Sequence, residues 1–387
     1  MNQFSAEALL KSAMDQTGLS AFGGGDIFRE DFGRFAAALD VEGIPPSRRE
    51  RCRLYILNLL MNRLWFEKDL AEHPEILDEQ LAPPVAIVSL PRAGTTKLQR
   101  ILGETNHFQN LLYWQTHNFA RIPGEPDGGR EIRRNKAVDF LSWLEKEIPN
   151  FLQTHPMVAD EVEEEFLLME SSFRSLMLSS AFPVMPYSQW IGTADFSVTY
   201  EYLIRQLKYV QWQFKADGHA AKPWLLKSPG MLGYEPTLVN AFKQGMKIIC
   251  PHRAPEQVMP STARTAQYTM FFKHHVESKV LGDPMVDWFG YGLQRYLDWR
   301  ESNTTVEILD LSFQEITNDS VGTAKKVSDF LGIQLNDKIV NEIRQWDIKN
   351  PRNKFGKNEA TLDEYGFDPA KMERIFKPYT EKFGKYF

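Results

Sequence analysis

The chain has 387 residues, 43% of them hydrophobic and 25% charged, a balance that fits a soluble globular protein and excludes wholesale disorder. Against 51 Asp+Glu stand 45 Lys+Arg, a net charge of −6, so no general polyanion-binding surface is implied and nucleic acid is a poor partner. Cys52 and Cys250 are the two cysteines and no Cys-x-x-Cys spacing occurs, which excludes a disulfide framework and a zinc cluster and fits a reducing compartment. The N-terminal MNQFSAEALLKSAMDQTG lacks a basic start followed by an apolar run, and no apolar stretch reaches about 18 residues. A cytoplasmic protein without stable membrane insertion is therefore expected.

Residues 1–80 read as a helical annex. Ser5 can cap the pattern Leu9, Leu10, Met14; the Gly23–Gly25 triplet separates this block from a second one. Pro46 and Ser47 open that second run, whose Leu54, Ile56, Leu57, Leu60, Leu64 and Trp65 form a broad apolar stripe. The segment PPVAIVSLPRAGTTKLQRIL then passes from a β-branched apolar run through a Pro/Gly turn into a helical pattern, that is strand, loop, helix. A helical insertion rich in aromatic and Met residues is expected over about 115–215. KPWLLKSPG supplies a second strand, LVNAFKQG a helix, MKIICPHRAP a third strand ending in charge, and TTVEILDLSFQEI a fourth. DSVGTAKKVSDFLG is a helix that Gly332 should stop. Strands alternating with helices predict an α/β fold with a parallel sheet covered on both faces, the core running over 81–335 within one domain of residues 1–387. Residues 336–387 hold a polar loop, PRNKFGKNEATLDEYGFD, able to fold over a ligand, and a last helix, MERIFKPYTEKF.

A strand followed by PRAGTTK and a helix presents backbone N–H groups and the positive helix end to a phosphate. Gly94 permits close approach, Thr95 and Thr96 add hydroxyls, and Arg92 brings a fork for two anionic oxygens. A lone Gly-Thr-Thr turn is more often an ordinary capped helix; its place straight after VAIVSL favours the phosphate. The nucleotide-triphosphate loop G-x-x-x-x-G-K-[ST] is not met, because Gly94 is followed by Thr95 and not by Lys. Asp310, closing the fourth strand, can imitate a magnesium-holding acid, although an Asp there commonly serves a turn. The third strand delivers His252 and Arg253 to its carboxyl end, where open α/β sheets bind ligands, and the next helix carries Ser261. Arg253 and Ser261 can clasp a second phosphate.

Together these segments resemble the sulfotransferase superfamily, specifically its bacterial branch built around P-R-x-G-T-T, L-K-S-P and H-R-x-P-x-x-V-x-x-S. The resemblance runs in order through NRLWFEKDLAEHPEI, VSLPRAGTTKLQRIL, LLYWQTHN, HPMVADEVEEEFLLMESSFRS, WLLKSPG, IICPHRAPEQVMPS and DFLG. It implies a P-loop-like fold, the co-substrate 3′-phosphoadenosine 5′-phosphosulfate, and no metal. It places Arg92, Ala93, Gly94, Thr95 and Thr96 at the 5′-phosphosulfate, with Lys97 near the adenine, and Arg253 with Ser261 at the 3′-phosphate. Lys227 matches the family lysine near the transferred group and shares charge stabilisation with Arg92.

Two positions depart from the pattern: Gln115 stands where many relatives have Glu, and Met231 where many have His. Neither an amide nor a thioether accepts a proton usefully at neutral pH. The base is therefore sought at Glu164, His117 or His155, with Glu164 first because its surroundings match the family over the longest stretch. FLLMESSFRSLMLSSAF and YTMFFKHHVESKVLGDPMVDWFGYG are rich in Phe, Met and Leu, and point to a small lipid-like, terpenoid or phenolic alcohol as acceptor rather than a sugar. A P-loop small-molecule kinase and a non-catalytic nucleotide-binding relative are the competing readings.

Overall fold

Ser5 accepts the Ala8 N–H and starts α1 (Ala6–Thr17); the glycine triplet starts a further helix, α2 (Gly25–Ala38), which the sequence pattern does not announce. Pro46–Arg48 forms a 3-10 turn that leads into α3 (Arg49–Glu72). These ranges come from a computed structural model that describes residues 4–39, 43–149, 151–242, 245–351 and 360–387. Residues 352–359 of the loop expected to fold over a ligand lie outside the described residues.

The four expected strands are β1 (Val85–Ile87), β2 (Leu225–Lys227), β3 (Lys247–His252) and β4 (Ile308–Ser312), paired in parallel in the order β2-β1-β3-β4. Alternate residues serve opposite faces, as the strand period requires. Val85, Ile87, Leu225, Ile249 and Leu311 pack under α4 (Thr95–Gly103), while Ala86, Leu226, Ile248 and Cys250 join the larger helical body. That body includes α1–α3, α5 (Arg130–Glu147), α6 (Ser197–Ala216), α7 (Glu235–Phe242), α8 (Pro255–Thr269) and α9 (Gly282–Ser302). Beyond β4, α10 (Ser320–Leu331) and α11 (Asp337–Lys349) cover the first face, and α12 (Pro369–Phe383) packs on the other. Gly332 ends α10 in the left-handed conformation at φ 71°. Both faces are thus buried, and the short strands need no polar side.

The annex is built into the fold. The Arg63 guanidinium in α3 is 2% exposed and donates to the carbonyls of Phe22 and Ser171, while Asn58 donates to the His117 carbonyl. No helix among the described residues is long and apolar enough to cross a membrane.

Candidate active site

Register sets the site. Ile87 pairs with both Lys227 and Ile249, so the carboxyl ends of β1, β2 and β3 lie side by side. The turn after β1 carries two left-handed residues, Arg92 at φ 65° and Gly94 at φ 88°. A Cβ on Gly94 would meet the Phe313 ring at 3.3 Å, so only glycine fits comfortably between the loop and that ring. Arg92 does carry a Cβ, and such a conformation costs on the order of 1–3 kcal/mol unless its surroundings fix it. Here the Arg253 Nη1 donates to the Arg92 carbonyl (3.0 Å), and the Arg92 Nε donates to Ser261 Oγ in α8 (3.1 Å). The Arg253 guanidinium also rests 4.0 Å from the centre of the Phe313 ring. Arg92, Arg253 and Ser261 therefore converge from three segments.

Gly94 caps α4 without any side-chain hydrogen bond, leaving the first N–H groups of that helix uncapped by a side chain. They face a cleft of about 680 Å³ bounded by Arg92, Gly94, Thr95 and Thr96, by Arg253 and Ser261, and across from them by Trp346 and Asn350. Lys97 lines it too, but its ammonium is engaged by Asp347 (2.9 Å) and the Thr317 carbonyl (3.1 Å). Ala93 is 0% exposed and its methyl is packed away from the cleft.

A second cavity of about 600 Å³ lies on the other side of the loop, walled by Phe166, Leu167, Met177, Met270 and Phe289. It shares Arg92, Thr95 and Thr96 with the polar cleft. Behind this shared wall, Lys227 is 0% exposed; its ammonium donates to Glu164 and reaches Thr96 Oγ1 at 3.5 Å. Glu165 secures the end of β2 by accepting the Lys227 N–H (2.6 Å) and the Ser228 O–H (2.5 Å). Burial raises the Glu165 carboxyl, only partly offset by those bonds. Burial acts the same way on Glu163, but His155, at 3.5 Å, with Lys227 and Arg100 outweighs it and holds that carboxyl below the usual range. The end of the acid run DEVEEE therefore forms an internal polar layer: Glu163 and Glu165 are 4% and 3% exposed, and a 3-10 turn, Glu165–Ser172, follows.

His117 lines the apolar cavity among the rings of Tyr55, Tyr113 and Phe140, with centres 5.7, 5.8 and 5.0 Å away. Burial first, then Lys136 and Arg51, pull its imidazole down to about 4. Because the folded value lies below the unfolded 6.5, the unfolded chain binds the proton first and stability is lost as pH falls from 6.5 toward 4. Between pH 7 and 5, His117→Asn should lose ~1–2 kcal/mol less stability than the parent, measured by urea unfolding at each pH.

The two departures from the family pattern are occupied by packing. Gln115 Oε1 accepts the Leu112 N–H (2.9 Å) at its own helix start, and Met231 is 4% exposed in the turn Pro229–Met231. Asp310 accepts two bonds from Arg300 (2.9 and 2.6 Å) and lies 2.7 Å from His252 Nε2. Burial would raise its carboxyl, but His252 and Arg300 hold it low, as expected of a structural ion pair. Trp346, Asn350, Tyr55, Tyr113 and Glu170 line the two spaces without having been read from sequence. Tyr113 lies inside the quoted LLYWQTHN and Glu170 inside FLLMESSFRS, whereas Trp346, Asn350 and Tyr55 lie outside every motif quoted above.

The fold has solved counterparts. Sulfotransferase STF9 from Mycobacterium avium superposes with a TM-score of 0.82 at 23% identity, covering 99% of this chain and 97% of that one. Sulfotransferase STF1 from Mycobacterium tuberculosis H37Rv gives 0.77 at 24% identity, with 96% and 98% covered. These likenesses establish the fold. No curated protein sequence matches the chain. Residues 83–337, which carry every strand and the loop after β1, match the sequence profile of the Sulfotransferase family, and the chain belongs to that family.

Proposed function

We propose that the protein transfers a sulfuryl group from 3′-phosphoadenosine 5′-phosphosulfate to a hydroxyl of a small apolar acceptor, in the cytoplasm and without a metal. The observation that carries this reading is the pair of cavities, one polar and one apolar, that meet at Arg92, Thr95 and Thr96 with Lys227 and Glu164 behind them.

The residues present fit a bisphosphate nucleotide. The uncapped start of α4, the Arg92 fork and the two threonine hydroxyls would hold the 5′-phosphosulfate; Arg253 and Ser261 would hold the 3′-phosphate. Phe313 and Trp346 offer flat apolar surface in the same cleft, whose volume suits a ligand of that size. Lys97, already paired with Asp347, serves the rim of the cleft and not the phosphates. When bound, the donor supplies an activated sulfuryl group and a bisphosphate leaving group. Arg92 and Lys227 oppose the charge that develops on the oxygens in flight. Glu164 takes the acceptor proton, and the apolar walls keep water from competing.

The kinase reading needs a free carboxylate for magnesium, and Asp310 is engaged by Arg300 and His252. Gln115 and Met231 favour a non-catalytic nucleotide binder, but Glu164 answers that objection from a neighbouring segment. In a calorimetric titration with EDTA present, adenosine 3′,5′-bisphosphate should bind more tightly than ATP. Equal or tighter ATP binding would reinstate the kinase.

A further inference from the structure

The apolar cavity has one polar corner that the transfer step does not use. Glu170, on the turn Glu165–Ser172, lines the cavity and is 2% exposed. Its Oε2 accepts the Tyr55 O–H at 2.6 Å, whereas its buried Oε1 has no hydrogen-bond partner among the described residues. Tyr55, Tyr113 and His117 gather around this corner and line the same space. A buried oxygen left without a partner is costly, and a ligand group that satisfies it gains correspondingly. Glu170 lies six positions along the chain from Glu164, the residue that caps the 3-10 turn, roughly 12 Å at that helix's rise, so the corner is remote from the transfer point.

We infer that Glu170, held by Tyr55, is a specificity-determining residue that hydrogen-bonds a second oxygen, hydroxyl or carbonyl, on the apolar body of the acceptor, away from the hydroxyl that is modified. Burial pushes the Glu170 carboxyl up to about 8 despite the Tyr55 bond, so near neutral pH it carries a proton. With Oε2 accepting from Tyr55, Oε1 is the oxygen left to carry that proton and donate it to an oxygen of the ligand. This deepens the transfer reading and rests on it: the acceptor class becomes an apolar alcohol with an oxygen function at each end.

The test is calorimetric binding, without donor, of the α,ω-diols from hexanediol to dodecanediol, each against the straight-chain primary alcohol of the same length. A uniformly apolar cavity would bind every simple alcohol more tightly than its diol, because the second hydroxyl would lose water for nothing. The inference expects one chain length at which the parent prefers the diol about tenfold or more. Glu170→Leu should bind simple alcohols at least as well and reverse that preference; Tyr55→Phe should shrink it. Simple alcohols binding more tightly at every length in the parent would overturn the inference, as would an unchanged diol preference in Glu170→Leu. The parent series and Tyr55→Phe decide the matter even if Glu170→Leu does not fold. Failure of the transfer reading looks different: the diol preference would be present, but no alcohol would become sulfated in the presence of donor.

Discussion

Glu164→Gln should lower single-turnover sulfuryl transfer by about 10² to 10⁴ while leaving affinity for adenosine 3′,5′-bisphosphate nearly unchanged. The change keeps shape and polarity and removes a proton acceptor at the wall where the two cavities meet. His117→Asn should cost far less, because an imidazole pulled down to about 4 is a weak proton acceptor and sits with the aromatic rings rather than beside Thr96. The two variants separate the candidates by rate alone. Near-parental turnover in Glu164→Gln with a large loss in His117→Asn would move the base to His117. Lys227→Met should also abolish most turnover, but it removes the partner of Glu164 from a fully buried position, a change that costs about 3–5 kcal/mol of stability when a buried pair is broken. Its rate is therefore meaningful only beside a measured unfolding curve.

Arg253→Ala should weaken adenosine 3′,5′-bisphosphate binding by about 1.5 to 3 kcal/mol, the range for a hydrogen bond to a charged group. Selectivity over the nucleotide lacking the 3′-phosphate should fall with it. The Arg253 guanidinium both faces the cleft and donates to the Arg92 carbonyl, so part of the loss will come from a looser loop after β1. That part weakens both nucleotides equally, and comparing the two by calorimetry separates it from the phosphate contact. A variant that still discriminates as well as the parent would place the 3′-phosphate elsewhere.

Elements fixed by local pattern were legible. The apolar runs gave all four strands, and the alternation of strand and helix gave the parallel sheet. The loop PRAGTT announced its own chemistry because Gly94, the helix start and Arg92 are contiguous in sequence. What depended on distant partners was not legible. The partners of DEVEEE were hidden because no window around residue 163 contains Lys227, His155 and Ser228 together, yet these are what Glu164, Glu163 and Glu165 engage. Ser261 was expected to work with Arg253, and the fold adds Arg92 as the side chain bonded to it, across 169 positions of sequence. The annex read as packing alone, although α3 contributes Tyr55 to the acceptor cavity. Helix α2 escaped notice because glycines at its start read as a separator.

The central claim is tested most directly by incubating the purified protein with 3′-phosphoadenosine 5′-phosphosulfate, EDTA and a cell extract, then searching by mass spectrometry for metabolites heavier by one sulfuryl group while quantifying adenosine 3′,5′-bisphosphate. The account predicts apolar alcohols that gain the group in step with bisphosphate release, and loss of both signals in Glu164→Gln. No sulfated product from any alcohol, or a phosphorylated product when ATP and magnesium replace the donor, would contradict it.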